Sequence, residues 1–314
     1  MSFQFRPAKR ESVGLILGVA GPSGAGKTFS ALRLATGIAG GKPFAFIDTE
    51  NRRGLHYAEQ FTFHHASFEP PFTPERYGQA IKAADDAGYP VIVVDSASHE
   101  WAGDGGCLDM QEAEFKRMGG RDNVKMASWI KPKMEHKQMM SHVLLRTKAH
   151  IILCFRAEEK IDMKKGADGK MEVVKKESAK GVMGWMPIAE KSLPYELTVS
   201  FLLLPERPGI PIPIKLQEQH KPMFPEGKLL DEEAGKRIAA WAAGGDAKPA
   251  TAPTNPTITA AQVSKLHALA KGNGWTAEAF KAKIAEKYKA DNAAHLSLDS
   301  YNDAAEWFKL NKGA

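Results

Sequence analysis

The sequence is poor in cysteine: Cys107 and Cys154 are the only two in 314 residues. Both stand in apolar surroundings and neither has a partner at metal-ligand or redox spacing, so two buried thiols and no disulfide framework are expected. Long apolar runs are also missing. No stretch approaches the ~20 apolar residues of a membrane span, and the first residues lack the apolar centre of a secretion signal, which points to a cytoplasmic protein with no membrane partner. The histidines are few and scattered. His64-His65, and His136 with His142, have no carboxylate or cysteine at ligand spacing, so no metal centre is expected of them. What remains is ordinary for a globular chain, 43% apolar and 25% charged, at a length that allows one good-sized core and a small second domain.

Positive charge is unevenly placed. The chain carries a formal +6, yet residues 115–148 alone hold nine Lys or Arg (Lys116, Arg117, Arg121, Lys125, Lys131, Lys133, Lys137, Arg146, Lys148) against Asp122 and Glu135. A basic segment of this density suits a polyanion such as nucleic acid, and it also suits a solvated helix face.

One stretch carries the chemistry. Gly21-Pro22-Ser23-Gly24-Ala25-Gly26-Lys27-Thr28 fills the pattern G-x-x-x-x-G-K-[ST]. An apolar run (Val13 to Ala20) precedes it and a helix-compatible run (Phe29 to Ile38) follows, the strand, loop and helix context that a phosphate cradle needs. Glycines let the backbone turn several N–H groups toward phosphate oxygens, and the helix start adds the positive end of its dipole. The cradle is expected to run from Gly21 through Pro22, Ser23, Gly24, Ala25, Gly26, Lys27 and Thr28 to Phe29. ATP is the expected nucleotide, with Lys27 reaching its β- and γ-phosphates and the Thr28 hydroxyl on Mg²⁺.

Further along, Pro43 to Asp48 and Phe61 to Phe68 read as strands, the second at a sheet edge, and Thr73 to Ala87 reads as a helix with a Thr-Pro-Glu start. Val91-Ile92-Val93-Val94-Asp95 is an unbroken β-branched run ending in an acid, the pattern of a strand buried on both faces. Asp95, at its carboxyl end, is the second Mg²⁺ candidate. Ser128 to Lys148 reads as helix, Ile151 to Arg156 as another buried strand, and residues 157–184 as a hairpin or mobile loop. Tyr195 to Leu204 and Ile210 to Leu216 read as strands, and Asp231 to Ala243 as a closing helix. Residues 244–257, rich in Ala, Gly, Pro and Thr, read as a linker. Beyond it, Ala260 to Ala270, Ala277 to Tyr288 and Ser300 to Leu310 have helical spacing, with Thr259, Thr276 and Asp299 as caps. The expected fold is α/β, a mainly parallel sheet flanked by helices over residues 1–243, with a small all-α domain over 258–314.

Phe44-Ala45-Phe46-Ile47-Asp48-Thr49-Glu50, with His56-Tyr57-Ala58, resembles the second-strand segment of RecA-type recombinases, and Val93-Val94-Asp95-Ser96 resembles their magnesium-binding strand. Asp95-Ser96-Ala97-Ser98-His99-Glu100-Trp101 followed by Gly105-Gly106, the Leu193-Pro194-Tyr195-Glu196 turn, and Ile238 to Trp241 are similar to AAA-family phage ATPases. These serve single-strand-annealing and recombination modules and are compact relatives of RecA. Ile258-Thr259-Ala260-Ala261-Gln262 with Lys265-Leu266 resembles a helical module appended to several phage recombination proteins. Phe5-Arg6-Pro7-Ala8 has the F-x-x-A form by which some recombinases dock on a neighbouring subunit.

The resemblance implies a RecA-like P-loop core with DNA-dependent ATP hydrolysis, single-stranded DNA as partner, and assembly as a homo-oligomer or filament. It also implies a host-cytoplasm setting and an annealing or single-strand-binding protein as a further partner. Carried over residue by residue, it makes Glu50 the group that activates the attacking water and Arg156 a γ-phosphate sensor. Phe155-Arg156 stands where RecA has an Asn-Gln pair. Lys221, in Gln219-His220-Lys221-Pro222, would complete a neighbour's site. Two mobile DNA loops map to Gly103–Lys125 and Glu158–Gly184, with Trp101, Trp129 and Trp185 as faces for unpaired bases. A hexameric helicase-like or packaging motor on the same core stays open, as do a small-molecule kinase and a non-hydrolysing nucleotide-gated adaptor.

Overall fold

The computed structural model describes residues 12–159, 161–165, 171–175, 184–244, 259–288, 290, 292, 293, 296 and 298–312. The Phe5 to Ala8 segment, nearly all of the 244–257 linker and much of the second expected loop lie outside these residues. The chain divides into two compact units, residues 1–247 and 248–314.

The larger unit is built on an eight-stranded sheet. Its strands are β1 (Ile16–Gly21), β2 (Phe44–Asp48), β3 (Phe63–Ser67), β4 (Val91–Asp95), β5 (His150–Glu159), β8 (Trp185–Pro187), β9 (Val199–Leu202) and β10 (Ile212–Lys215). The order is β10-β9-β1-β5-β4-β2-β3, with β8 pairing onto β5. Only β10 and β8 run antiparallel to their neighbours. β3 is the edge strand that the sequence predicts.

Because side chains alternate across a strand, each run of apolar residues feeds two cores. Leu17, Val19, Val91, Val93 and Ile152 face the helices α1 (Lys27–Ala39) and α7 (Glu232–Ala242), meeting Leu32, Leu34 and Ile238. Ile16, Ile92, Val94, Ile151 and Leu153 face α2 (Pro74–Asp86) and the 139–144 segment, meeting Tyr77, Ile81, Met140 and Leu144. Each such fully buried side chain contributes roughly 1.5–3 kcal/mol, which makes the strand ends a stiff platform. α1 and α7 approach so closely that a Cβ on Gly37 would lie 2.0 Å from the Glu232 carbonyl, and one on Gly235 2.4 Å from that of Leu34. A fork from Arg33 Nε and Nη2 to Glu232 holds the same contact at 2.9 and 2.6 Å.

Two segments and one cap differ from the sequence reading. Leu193–Glu196 forms a short helix, α6, because Pro194 has no N–H for a ladder and sits well in a first helical turn; the strand starts only at Val199. The expected helix over Ser128–Lys148 is α5 (Ile130–Gln138) followed by a π turn (Met139–Val143) and a 3₁₀ turn (Leu144–Arg146). Asp299 lies inside its helix, not ahead of it. Within the 157–184 region, β6 (Ile161–Lys165) and β7 (Met171–Lys175) form a separate antiparallel pair, in agreement with the hairpin reading.

In the smaller unit, α8 (Ala260–Gly272), α9 (Ala277–Tyr288) and α10 (Leu298–Leu310) surround Leu266, Phe280, Ile284 and Phe308. Thr259 caps α8 in a reciprocal box with Gln262. Among the described residues, no helix is long and apolar enough to cross a membrane.

Candidate active site at the phosphate loop

Register places the site. Asp48 pairs with Asp95 across β2 and β4, and Asp95 pairs with Cys154 across β4 and β5. Glu50 and Arg156 each lie two residues past that line, on either side of β4, and Gly21 sits opposite Arg156 on β1. The carboxyl ends of four parallel strands therefore open onto one cleft of about 930 Å³, where ligands of α/β sheets bind. It is lined by Gly21, Pro22, Ser23, Gly24, Gly26, Lys27, Thr28 and Phe29 of the loop, and by Glu50, Asp95 and Arg156. Ala25 is buried beneath.

The loop fits a phosphate. Gly24 and Gly26 have φ of 79° and 81°, the left-handed region that favours glycine, and space above Gly24 is open. Gly26 stands at the N-terminus of the 13-residue α1, whose first turn holds no acid, so its N–H groups and dipole are uncompensated. Lys27 Nζ donates to the Pro22 carbonyl at 2.8 Å, folded over the loop.

Thr28 Oγ1 donates to Asp95 Oδ2 at 2.6 Å. A hydroxyl and a carboxylate converging in this way form a hard oxygen pair, the donor type that suits Mg²⁺. Burial pushes the Asp95 carboxyl up to about 6, against the opposing pull of the Thr28 bond and Lys27. Asp95 is 4% exposed.

Glu50 and Arg156 are bonded to each other. Arg156 Nε and Nη2 donate to the two Glu50 oxygens at 2.9 and 2.7 Å. Burial raises the Glu50 pKa, but the bonds and charge of Arg156, helped by His99 and Arg53, outweigh it and hold the carboxylate below its ordinary value. The bond to Glu50 raises the Arg156 pKa in turn.

Several residues without an assigned role from the sequence position these two. The Asp48 carboxylate accepts the Glu50 amide at 2.7 Å, the Gly54 amide at 2.8 Å and a bond from His65 at 3.0 Å, anchoring the turn that carries Glu50. Thr49 exchanges hydrogen bonds with Ser96 and meets His99 Nδ1 at 2.8 Å. His99 Nε2 lies 4.0 Å from Glu50. Ser98 Oγ accepts the Arg156 amide at 2.9 Å. The polar side chains of the Asp95 to His99 stretch thus tie the start of α1, the end of β5 and the turn after β2 together, a signal the sequence carries only as a dense run of short polar residues. Phe29, Tyr57 and Phe61 form an aromatic cluster at the cleft edge, with ring centroids 5.9 and 5.5 Å apart.

A protein-family model described as an AAA domain matches residues 14–188, more than half of the chain and every residue lining the cleft. The chain belongs to this AAA domain family. Its P-loop class binds and hydrolyses nucleotides, usually with Mg²⁺. No curated protein matches the chain. The AAA match ends before β9, α7 and the smaller unit.

The other expected positions are placed as follows. Trp101 and Trp129 stack on each other at 5.6 Å. Trp185 opens β8 and is half-buried against the core. Lys221 is exposed, bonded to Glu218 at 2.5 Å, and does not line the cleft. Of the nine cations in 115–148, Lys116, Arg117 and Lys131 are paired, all with Glu112 or Glu114 just upstream.

Proposed function

We propose that the chain is a DNA-dependent ATPase that assembles as a RecA-like oligomer on single-stranded DNA, within a phage recombination module and alongside an annealing or single-strand-binding protein. The observation that carries this reading is the Glu50–Arg156 fork across the phosphate cleft. In the cleft, the loop amides and Lys27 would take the phosphates, and Phe29 and Tyr57 offer faces for the base. Thr28, with Asp95 behind it, would hold Mg²⁺, which when bound supplies charge neutralisation at the β- and γ-oxygens. Glu50 orients a water and accepts its proton. Arg156 has two anions to choose between, Glu50 and a terminal phosphate, so nucleotide state decides where the guanidinium sits.

That choice can reach DNA. The Arg156 amide is bonded to Ser98, at the start of α3 (Ser98–Ala102) and five residues before the first expected DNA loop, and β5 runs on from Arg156 toward β6 and β7. Movement of this residue is felt at the root of both expected DNA loops.

The test is ATP hydrolysis with and without single-stranded DNA, on the wild type and Lys27→Ala. Stimulation by DNA that disappears in the variant is expected; turnover indifferent to DNA removes the reading. If the basic segment neutralises about five phosphates, log affinity falls with log salt at a slope near −3.5.

A further inference from the structure

Away from the cleft, three short helices bring together groups that are distant in sequence. Glu100 lies on α3 (Ser98–Ala102), Cys107 opens α4 (Cys107–Arg117), and His136 lies on α5. They are 5%, 0% and 4% exposed. Glu100 Oε1 is 2.9 Å from His136 Nδ1 and 3.4 Å from Cys107 Sγ, and one donor atom from each lies within 4.8 Å of the others. The sequence reading denied His136 a metal partner because none stood at local ligand spacing; the fold supplies two.

We propose that Glu100, Cys107 and His136 bind a borderline-soft divalent ion of the zinc type, which pins α4 and α5 to α3. The donor set of thiolate, imidazole and carboxylate is the one such ions take, at about 2.3 Å from sulfur and about 2.0–2.2 Å from nitrogen and oxygen. Two of the three donor separations are already short enough for donors that share one ion.

Charge favours the same conclusion. Without a metal, the protein buries a carboxylate against an imidazole and a thiol. With one, a thiolate, a carboxylate and a neutral imidazole cancel a divalent charge, and a neutral site is the least costly to bury. Binding releases the Cys107 thiol proton to solvent, and a proton from His136 where that ring is charged. With Nδ1 as the donor atom, Nε2 carries the ring proton and has no partner among the described residues. A cavity of about 20 Å³ lies beside Glu100 and His136 and is otherwise lined mostly by apolar side chains such as Met139 and Leu144, so the fourth position is left to a water outside it.

The consequence is mechanical. Residues 108–135, which carry six of the nine cations of the basic segment, lie between Cys107 and His136, so the ion would clip both ends of the 108–135 stretch to the helix following Asp95.

The experiment uses the full chain, kept reduced, stripped with a chelator and titrated with Co²⁺ in excess Mg²⁺, so that hard oxygen sites are filled. A single Co²⁺ per chain is expected, with a thiolate-to-metal charge-transfer band and tetrahedral ligand-field bands. Cys107→Ser removes the charge-transfer band, whereas Cys154→Ser keeps it. His136→Asn and Glu100→Gln weaken Co²⁺ binding by more than the roughly 10–100-fold that loss of an outer-shell partner costs. Zn²⁺ displaces Co²⁺ and raises the wild-type Tm with its concentration. Absence of the charge-transfer band in the wild type at saturating Co²⁺ overturns the proposal, as does its survival in a folded Cys107→Ser. The wild-type arm decides even where a variant fails to fold, and none of these readouts depends on ATP hydrolysis.

Discussion

Replacing Arg156 by alanine separates the two roles its position allows. The fork to Glu50 consists of two charge-assisted bonds, but the Arg156 side chain is 48% exposed while that of Glu50 is 16% exposed. Bonds to charged groups contribute about 1.5–3 kcal/mol when shielded, and exposed pairs about 0–1 kcal/mol. Discounting for solvent, the fork should contribute about 1 kcal/mol, a Tm shift of roughly 2–4 °C at this size. The sign with pH follows from the lowered Glu50 pKa: this stabilisation is present above the ordinary glutamate value and is lost as pH falls through the lower folded one. Catalysis should respond on another scale. A guanidinium that also meets the terminal phosphate is one preorganised donor, and losing one costs about 10²–10³ in kcat, or about 2.7–4 kcal/mol.

The assay is phosphate release at saturating Mg-ATP over roughly pH 5 to 9, beside thermal melting of the same samples. Arg156→Ala should lose activity far beyond its loss of stability, and the acidic limb of its pH profile should move up as Glu50 loses its partner. Arg156→Lys, which keeps the charge but not the fork, should fall between. A kcat within about threefold of wild type, less than about 0.7 kcal/mol, would refute the sensor role and leave Arg156 as an ion-pair partner only.

Glu50→Gln should bind nucleotide as the wild type does but lose about 10²–10⁴ in kcat; parallel loss of both would reassign Glu50 to holding the turn that Asp48 anchors. Because burial raises Asp95 to about 6, Mg²⁺-dependent nucleotide affinity should fall about tenfold per pH unit below that value, and calorimetry at fixed free Mg²⁺ that finds constant affinity down to about pH 5 would contradict this. The same shift means that the stability Asp95 lends the nucleotide-free protein is present below its unfolded pKa and lost as pH rises through about 6. Gly37→Ala should destabilise by about 1–3 kcal/mol despite alanine's better helix propensity, since its methyl would overlap the Glu232 carbonyl; an unchanged denaturation midpoint would show that α7 can move aside.

What could be read from the sequence was local. The phosphate loop is contiguous, and its glycines, lysine and threonine carry their own geometry. The β4 run gave both its burial and the acid at its end, because four apolar residues in a row leave no polar face. Long-range pairing was not legible. Glu50 and Arg156 could each be given a role, but their bond spans 106 positions and depends on β4 lying between β2 and β5, which no periodicity encodes. Glu100, Cys107 and His136 escaped for the same reason. Asp48 was visible only as a strand-end acid, and its hold on the Glu50 turn appears once Gly54 is folded back on it.

On the proposed function, the same dependence on register would route any coupling of hydrolysis to DNA through β4 and not through the phosphate loop. Lys27 and Thr28 start a helix packed on α7, away from the basic segment, so movement there meets a close and stiff contact. Asp95, Ser98 and His99 instead continue straight from β4 into α3, and each bonds a different partner: Thr28, Arg156 and Thr49. A change at the terminal phosphate that draws Arg156 from Glu50 should therefore be felt at Ser98, which holds the Arg156 amide, and at His99, which holds Thr49 beside Glu50, and Ser98 and His99 lie within two residues of Glu100. From Glu100 the path continues to Cys107 and His136, which flank residues 108–135 and six of the nine cations. Loading that triad with metal should tighten the coupling, so removal of the ion should weaken DNA stimulation of turnover more than it weakens turnover without DNA.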